Sequence, residues 1–272
     1  MITLNNANLN VVVLDPVVDQ ARFGARYCTG GYIYQITDQR YGDLLSGPTY
    51  PSSFNWFDGQ GFPDSFRTHL SDPHNKDNPM ELGIGIGLIN RSNNQVTELC
   101  KWDVIDERDT LRFVTHQTYL DWSFDLTREL RLVHRTLRSS TQIKNTGRNT
   151  LPVFWFPHPF FPLYESKECC KSNINISVPE SVGFEMLGNG FIGQKNLPWD
   201  RRGHFLELVY EPGLALQMLQ KHPKLGLVAV TCSYSPSYFP IWGNRNTFSF
   251  EPYYKNDMAA DAETLWSVTY DL

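Results

Sequence analysis

Residues 124–132 read FDLTRELRL, and the spacing of their apolar side chains decides the fold class. Phe124, Leu126, Leu130 and Leu132 fall on alternate positions, with polar residues between them. Successive side chains of a β-strand point to opposite faces of its sheet. The alternation therefore predicts a strand with one face buried and the other in water.

The same period of two recurs along most of the chain. Further strands are predicted over residues 32–37, 111–119, 137–143, 153–156, 205–210, 214–219, 225–231, 247–251 and 265–272. Turn-forming residues separate several of them, as in NTG at 145–147 and EPG at 211–213. No window combines a helical apolar stripe with caps at both ends. Many antiparallel strands joined by short turns indicate an all-β sandwich or barrel.

The length of the chain and the lack of a linker indicate how many domains it forms. A chain of 272 residues is long enough for one large β domain or for two smaller domains. No linker or internal repeat divides it, so we expect a single domain over residues 1–272. Residues 46–79 are crowded with Gly, Pro, Asn, Asp and Ser, with aromatic residues among them. So long a loop in a compact domain is either functional or contains short strands that the pattern misses.

Composition excludes several classes of function. The chain has 24 Lys and Arg against 29 Asp and Glu, so it lacks the basic surface of a non-specific nucleic-acid binder. No apolar run is long enough for a membrane helix, and the N-terminus has no features of a secretory signal. Five cysteines without a pairing pattern fit a reducing compartment. We therefore expect a cytoplasmic protein without a nucleic-acid or membrane partner.

Metal and nucleotide motifs are absent from the sequence. His69 and His74 flank Asp72, but their spacing in a proline-rich loop fixes no ligand geometry. The glycines of GIGIGL at 83–88 alternate strictly, which does not match a dinucleotide fingerprint. We interpret that stretch as a strand whose glycine face lets an aromatic ring or a ligand approach the backbone, and we favour packing under an aromatic ring. No metal ion and no cofactor are predicted.

Two aromatic stretches carry ionisable residues that could do chemistry. His158 stands among aromatic and proline residues in FWFPHPFFP at 154–162. Glu251 ends a predicted strand in FSFEPYY at 248–254. Apolar surroundings shift the pKa of such groups toward the neutral form, which suits acid–base work. Taken singly, His158 is better interpreted as a buried structural histidine and Glu251 as a solvated strand-end glutamate.

The order of several short motifs resembles the aldose 1-epimerase, or galactose mutarotase-like, superfamily. IKNTG at 143–147 is followed by HPFF at 158–161, much as an Asn-x-Gly turn precedes His-Pro-Tyr-Phe in that family. FPIW at 239–242 and FSFEP at 248–252 are similar to the family's late tryptophan strand and its Glu-Pro motif. The closing strand ETLWSVTY at 263–270 resembles the family's C-terminus. The resemblance covers nearly the whole chain.

The resemblance implies a fold and a pair of catalytic residues. The fold would be a large antiparallel β-sandwich, or supersandwich, with a sugar-binding cleft on a concave face. The acid would be His158 and the base Glu251, which must come together from distant parts of the chain. Such a pair opens a hemiacetal ring by acid–base catalysis, lets the C1–C2 bond rotate and recloses the ring.

The chain departs from the family in the segment that grips the substrate. Galactose mutarotases have Asn-x-Leu-His-Gly-Gly where this chain reads NWFDGQ at 55–60. The phosphosugar branch has Pro-x-His-Gly-Phe-Ala-Arg where this chain reads PDSFR at 63–67. The early histidine is missing in both comparisons. The resemblance implies Arg67 as a ligand to sugar or phosphate, with Asp58 or Asp64 in place of the histidine.

Two further substrate-binding residues are implied by the same resemblance. Asp200, in Trp199-Asp200-Arg201, is similar to part of an Asp-Arg pair near the pocket of the phosphosugar branch. Trp242 lies on the predicted late tryptophan strand. For these residues, as for Arg67 and the aspartates, ordinary surface roles remain open.

The predicted function is an isomerase of the aldose 1-epimerase kind. It would interconvert the anomers of a hexose or hexose phosphate, so its partner is a small sugar or sugar phosphate. One alternative is a non-catalytic carbohydrate-binding protein that kept the cleft. Another is a sandwich with a structural or partner-binding role, which the aromatic-rich loop at 54–60 disfavours.

Overall fold

A computed structural model describes residues 1–272, and all of its regular elements but one 3-10 turn are β-strands. The regular elements are β1 (Ile2–Asn5), β2 (Leu9–Val13), a 3-10 turn (Gln20–Arg22), β3 (Ile33–Asp38), β4 (Gly42–Asp43), β5 (Asp64–Phe66), β6 (His69–Ser71), β7 (Met80–Gly83), β8 (Gly87–Asn90), β9 (Gln95–Leu99), β10 (Asp103–Glu107), β11 (Thr110–Tyr119), β12 (Trp122–Val133), β13 (Thr136–Asn145), β14 (Leu151–Pro157), β15 (Phe161–Pro162), β16 (Glu168–Ser172), β17 (Ile176–Ser177), β18 (Phe184–Met186), β19 (Ile192–Gln194), β20 (His204–Glu207), β21 (Val209–Tyr210), β22 (Gln217–His222), β23 (Gly226–Cys232), β24 (Pro240–Gly243), β25 (Thr247–Phe250), β26 (Tyr254–Met258) and β27 (Glu263–Asp271). No helix in the structure is long and apolar enough to cross a lipid bilayer.

One large antiparallel sheet organises the molecule. Its ten strands run in the order β10-β11-β12-β13-β27-β23-β22-β16-β19-β18. Smaller sheets complete the structure, among them β26-β14-β5 and β15-β25-β24-β20. The predicted all-β class and the large antiparallel sandwich are thereby confirmed.

Aromatic side chains join the large sheet to the smaller ones. Trp266 on β27 meets Trp155 of β14 edge-on, with ring centroids 5.5 Å apart, and meets Phe66 of β5 at 6.2 Å. Tyr270, also on β27, stacks on Phe62 at 4.3 Å. These contacts belong to one hydrophobic core of 47 buried residues, and burial of so much apolar surface stabilises the sandwich.

The stretch that decides the fold class forms the long strand β12, as predicted. Phe124, Leu126, Leu130 and Leu132 are all buried. Arg128 falls on the same buried face, and its guanidinium forms a two-pronged ion pair with the Asp64 carboxylate. The pair satisfies a charge that would otherwise be very costly to bury.

The glycine stretch at 83–88 is not the predicted strand. Residues 84–86 form the turn of the β7–β8 hairpin, and the flanking Gly83 and Gly87 pair with each other. Gly85 has φ of +74° and Gly87 has φ of +128°, a region that side chains with a Cβ rarely adopt. The alternating glycines therefore serve a turn, where the period-two pattern indicated a strand.

The long segment 46–79 contains two short strands that the sequence pattern missed. β5 and β6 have three residues each, too few for the alternation to be recognised. β5 pairs with β14, with Ser65 opposite Phe156, and so fixes this segment beside the end of β14. Residues of this segment thereby line a cleft beside the end of β14.

Candidate active site

Two strands that belong to different sheets end at one place. β14 ends at Pro157 and β25 ends at Phe250, so His158 and Glu251 each follow a strand directly. Between them, β15 pairs with β25, with Phe161 opposite Phe248. This pairing holds the two chain segments together close to His158 and Glu251.

The two side chains are in direct contact. Nε2 of His158 lies 3.3 Å from Oε1 of Glu251, and a hydrogen bond of 2.9 Å joins Nδ1 of His158 to Oγ of Ser249. The His158 backbone N–H donates to the carbonyl of Pro63 at 2.8 Å. Only 4 % of His158 and 5 % of Glu251 is exposed, so packing and hydrogen bonds fix both groups.

Aromatic rings surround the imidazole. The His158 ring centroid lies 4.4 Å from that of Phe160, 6.0 Å from that of Trp242 and 6.3 Å from that of Tyr27. The prolines on either side of His158 have no N–H and stiffen the backbone there. Apart from its contacts with Ser249 and Glu251, the imidazole is therefore surrounded by aromatic rings.

This burial shifts the pKa of both groups toward the neutral form. Burial raises the pKa of the Glu251 carboxyl to about 8, although the guanidinium groups of Arg26 and Arg67 oppose the shift. Burial also lowers the pKa of His158 well below its usual range, and Arg26 adds to that effect. Near neutral pH the pair therefore holds one proton, which rests on Glu251, and carries no net charge.

The pair lies at the floor of a cleft of about 970 Å³. Four arginines line the cleft, together with aromatic and polar residues. Arg26 is held by a 2.8 Å hydrogen bond from its Nη1 to the carbonyl of Phe57. Arg67 directly follows β5 and is exposed, and the exposed Arg201 and Arg202 reach the cleft from another loop. A chain with net charge −5 thus presents a concave surface rich in positive charge.

Three of the predicted substrate-binding residues line this cleft and two do not. Arg67, Asp58 and Trp242 are lining residues. Asp64 is not, because its carboxylate is buried in the ion pair with Arg128. Asp200 is also outside the lining, and its carboxylate accepts a 3.0 Å hydrogen bond from the backbone N–H of Gly203.

Asp58 has partners of its own within the cleft. It forms an ion pair with Arg201, and Nδ2 of Asn55 donates to it at 2.9 Å. The neighbour of Asp200, Arg201, is therefore the residue of that stretch that reaches the cleft. The ion pair joins the loop around residue 58 to the loop around residue 201.

Sequence reasoning missed several lining residues. Arg26 follows no recognisable motif, and Tyr253 stands inside the quoted FSFEPYY without a signal that marks it out. His69 also lines the cleft, and its Nδ1 lies 2.6 Å from Oε1 of Glu81 on the neighbouring strand. A histidine thus stands at the cleft wall, although not at the family's position in residues 55–67.

The histidines flanking Asp72 form no metal cluster. The Asp72 carboxylate accepts hydrogen bonds from the backbone N–H groups of His74 and Asn75, as in a local turn. No group of three or more His, Cys, Asp or Glu side chains in the chain is arranged to hold a metal ion.

Comparison with known proteins supports the fold through structure alone. No protein-family model matches the sequence, and no curated protein matches it. A galactose mutarotase related enzyme from Lactobacillus acidophilus has a TM-score of 0.64 at 12 % identity, over 99 % of this chain and 96 % of that one. A galactose mutarotase-like protein from Lactobacillus casei has a TM-score of 0.57 at 14 % identity, over 100 % and 99 %. A galactose mutarotase-like protein from Clostridium acetobutylicum has a TM-score of 0.57 at 12 % identity, over 98 % of this chain and 93 % of that one. The chain has the galactose mutarotase-like fold.

Proposed function

We propose that a protein with this fold and this cleft is an isomerase that interconverts the anomers of a hexose or hexose phosphate. The observation that carries the proposal is the contact between His158 Nε2 and Glu251 Oε1 at the cleft floor. Anomer exchange needs one group to take a proton and another to give one near neutral pH. Both groups are present, and the fold brings them together over 93 residues of sequence, 251 − 158.

The side-by-side placement of the two groups suits this reaction. The hydroxyl at C1 and the ring oxygen are attached to the same carbon, so acid and base must act at neighbouring points. The base takes the proton of the C1 hydroxyl, whose oxygen becomes a carbonyl. The bond from C1 to the ring oxygen breaks with its electron pair, and the ring oxygen takes a proton from the acid. Rotation about C1–C2 and the reverse steps give the other anomer.

The proton that the pair holds allows both roles. Glu251 as carboxylic acid with neutral His158, and Glu251 as carboxylate with imidazolium, contain the same number of protons. Transfer across the 3.3 Å contact exchanges these two forms. In the second form Glu251 is the base and His158 the acid. Ring opening leaves the single proton of the pair on Glu251 instead of His158, and reclosure returns it to His158.

Arg67 could distinguish a phosphorylated sugar from a free one. Arg67 lies beside the acid–base pair in the cleft lining, close enough for its charge to oppose the raised pKa of Glu251. Its planar guanidinium can form two parallel hydrogen bonds to a phosphate, which a lysine cannot copy. If the substrate carries a phosphate at this point, Arg67→Lys weakens a hexose 6-phosphate far more than the free hexose.

The test is exchange spectroscopy by NMR on freshly dissolved α-anomers of several hexoses and of their 6-phosphates, against the uncatalysed rate. The proposal predicts acceleration of at least one sugar, and Arg67→Lys then decides between phosphorylated and free substrates. If a sugar binds and no sugar is accelerated, the chain is a carbohydrate-binding protein, and the catalytic proposal fails.

The cysteines support a cytoplasmic location as part of this proposal. All five are free, and Cys28, Cys169, Cys170 and Cys232 are buried. Free thiols persist in reducing compartments. Cell fractionation that places the protein in an oxidising compartment would contradict the location.

A further inference from the structure

A single row of side chains crosses three strands on the cleft side of the sheet β15-β25-β24-β20. Ser249 on β25 is paired with Trp242 on β24, and Trp242 is paired with Phe205 on β20. Directly opposed residues of antiparallel strands point to the same face. The next residues along, Ile241 and Phe250, are paired on the other face and are fully buried in the core. The row therefore faces the cleft.

The row begins at the acid–base pair and leads away from it. Ser249 is hydrogen-bonded to His158, and the Trp242 ring centroid lies 6.0 Å from that of His158. Neighbouring strands lie about 4.8 Å apart, so Phe205 stands roughly 10 Å from Ser249 along the row. That distance is about the length of two linked sugar rings, one over the pair and one beyond it.

The far end of the row is an aromatic surface open to solvent. Phe205 is 56 % exposed although it lines a concave site. Phe57, another lining residue, is 53 % exposed and is held in place by Trp56, with ring centroids 5.8 Å apart, and by the Arg26 guanidinium at 4.9 Å. Exposed aromatic rings in a cleft, rather than on a flat surface, are typical of ligand sites.

The size of the cleft agrees with a ligand larger than one sugar. A hexose has about 12 non-hydrogen atoms, whereas a cleft near the upper end of ~300–1,000 Å³ accommodates a drug-sized molecule. The volume here is about 970 Å³. A single ring bound at His158 and Glu251 leaves Phe205 uncovered.

We propose that the cleft takes a reducing disaccharide or longer oligosaccharide, whose second ring lies over Trp242 and Phe205. Sugar rings present faces of C–H groups that pack on aromatic rings. Their hydroxyls would remain free to accept hydrogen bonds from the arginines that line the cleft. The evidence for the second-ring site is the pairing of Ser249, Trp242 and Phe205 across three strands and the exposure of the Phe205 side chain. The placement of the reducing ring at His158 and Glu251 rests on the proposed function.

The experiment measures binding, which does not depend on catalysis. Isothermal titration calorimetry compares glucose and galactose with maltose, cellobiose, lactose and maltotriose, and with glucose 6-phosphate. We expect the best disaccharide to bind about three- to tenfold more tightly than its reducing-end monosaccharide, as one aromatic contact would give. Phe205→Ala should remove most of this advantage, and Phe205→Tyr, which keeps the ring face, should retain it.

Leu265→Ala provides the matched control. Leu265 is an apolar residue on β27, is 60 % exposed and lies outside the cleft lining. Its truncation removes a similar exposed apolar side chain and should leave every affinity unchanged. Because Phe205 is itself largely exposed, its replacement should not impair folding, which the melting temperature verifies.

The outcomes separate this inference from the proposed function. Equal affinity for monosaccharides and disaccharides, or an equal loss for both in Phe205→Ala, overturns the second-ring site. Tighter binding of glucose 6-phosphate than of any disaccharide, unaffected by Phe205→Ala, also overturns it. A disaccharide preference that depends on Phe205, in a protein that accelerates no anomer exchange, supports the second-ring site and overturns the isomerase.

Discussion

Glu251 is a carboxyl group placed where ionisation is costly. Its side chain is nearly inaccessible to water, and its neighbour at 3.3 Å is an imidazole that burial keeps neutral. A hydrophobic or amide side chain would suit such a position better for stability alone. Retention of an acid there is the pattern expected when a group is tuned for proton transfer.

The cost of ionising Glu251 should appear in the pH dependence of stability. The folded-state pKa is raised from 4.5 to about 8, so the native protein holds a proton that the unfolded chain has lost between those values. The wild type therefore loses stability as pH rises through that window, by an amount on the order of a few kcal/mol. Gln cannot ionise, so Glu251→Gln should melt several degrees above the wild type at pH 9 and close to it at pH 5.

The lowered pKa of His158 does not disturb this comparison. Neutral His158 contributes stability that is lost as pH falls below the usual histidine pKa of 6.5. This loss occurs in the wild type and in Glu251→Gln alike. Glu185→Gln, at an exposed strand carboxyl, serves as the control and should show no such trend. A melting difference that is the same at both pH values would mean that Glu251 ionises freely.

The rate of anomer exchange should follow the one proton that the pair holds. Both productive forms contain a single proton, so kcat/KM should be level near neutral pH. It should fall about tenfold per unit above pH 8, where the pair loses that proton, and fall again below the lowered pKa of His158. A kcat/KM that instead rises through pH 8 would mean that the carboxylate acts alone and that His158 supplies no proton.

At the scale of elements, the site depends on strand register more than on any motif. The pairing of Phe161 with Phe248 fixes where His158 and Glu251 meet. Sequence alone predicts both strand ends and, through the family resemblance, both residues. The pairing itself joins strands that are nearly 90 positions apart, and local patterns carry no information about such partners.

The same limit explains why the partner of Arg128 and the turn at residues 84–86 were not predicted. Arg128 stands on the buried face of an alternating strand, so a buried acidic partner could be expected from sequence. Nothing local shows that the partner is Asp64, on a strand too short to recognise. The glycines at 83–88 alternate like a strand, but Gly85 and Gly87 have positive φ angles that serve a turn, and only the backbone reveals this.

The ion pair that joins β5 to β12 should be essential to stability and not to catalysis. Asp64→Asn leaves the Arg128 guanidinium buried with an uncompensated charge, at a cost of about 3–5 kcal/mol. We expect the melting temperature to fall on the order of 10 °C, while kcat/KM of the folded protein changes little. Asp103→Asn, at an exposed position on β10, is the control. A large loss of kcat/KM at unchanged stability would place Asp64 in the site after all.

At the scale of the whole molecule, the core indicates how the chain folds. The 47-residue cluster draws from the N-terminal strands, the long central strands and the closing strand β27 alike. We therefore propose that residues 1–272 form one domain. Urea unfolding should show coincident transitions by far-ultraviolet circular dichroism and by tryptophan fluorescence. Two separated transitions would divide the chain into two units.

Strands from distant parts of this structure meet at one cleft, where a histidine and a glutamate touch. The most direct measurement of its role is NMR anomer exchange for the wild type, His158→Asn, Glu251→Gln and the double variant, each with and without EDTA. Each single variant should bind sugar but lose about 10²-fold or more in rate, and the double variant should be little slower, since the two groups act as a unit. Exchange by Glu251→Gln as fast as by the wild type, or a wild-type rate abolished by EDTA, would contradict acid–base catalysis by this pair.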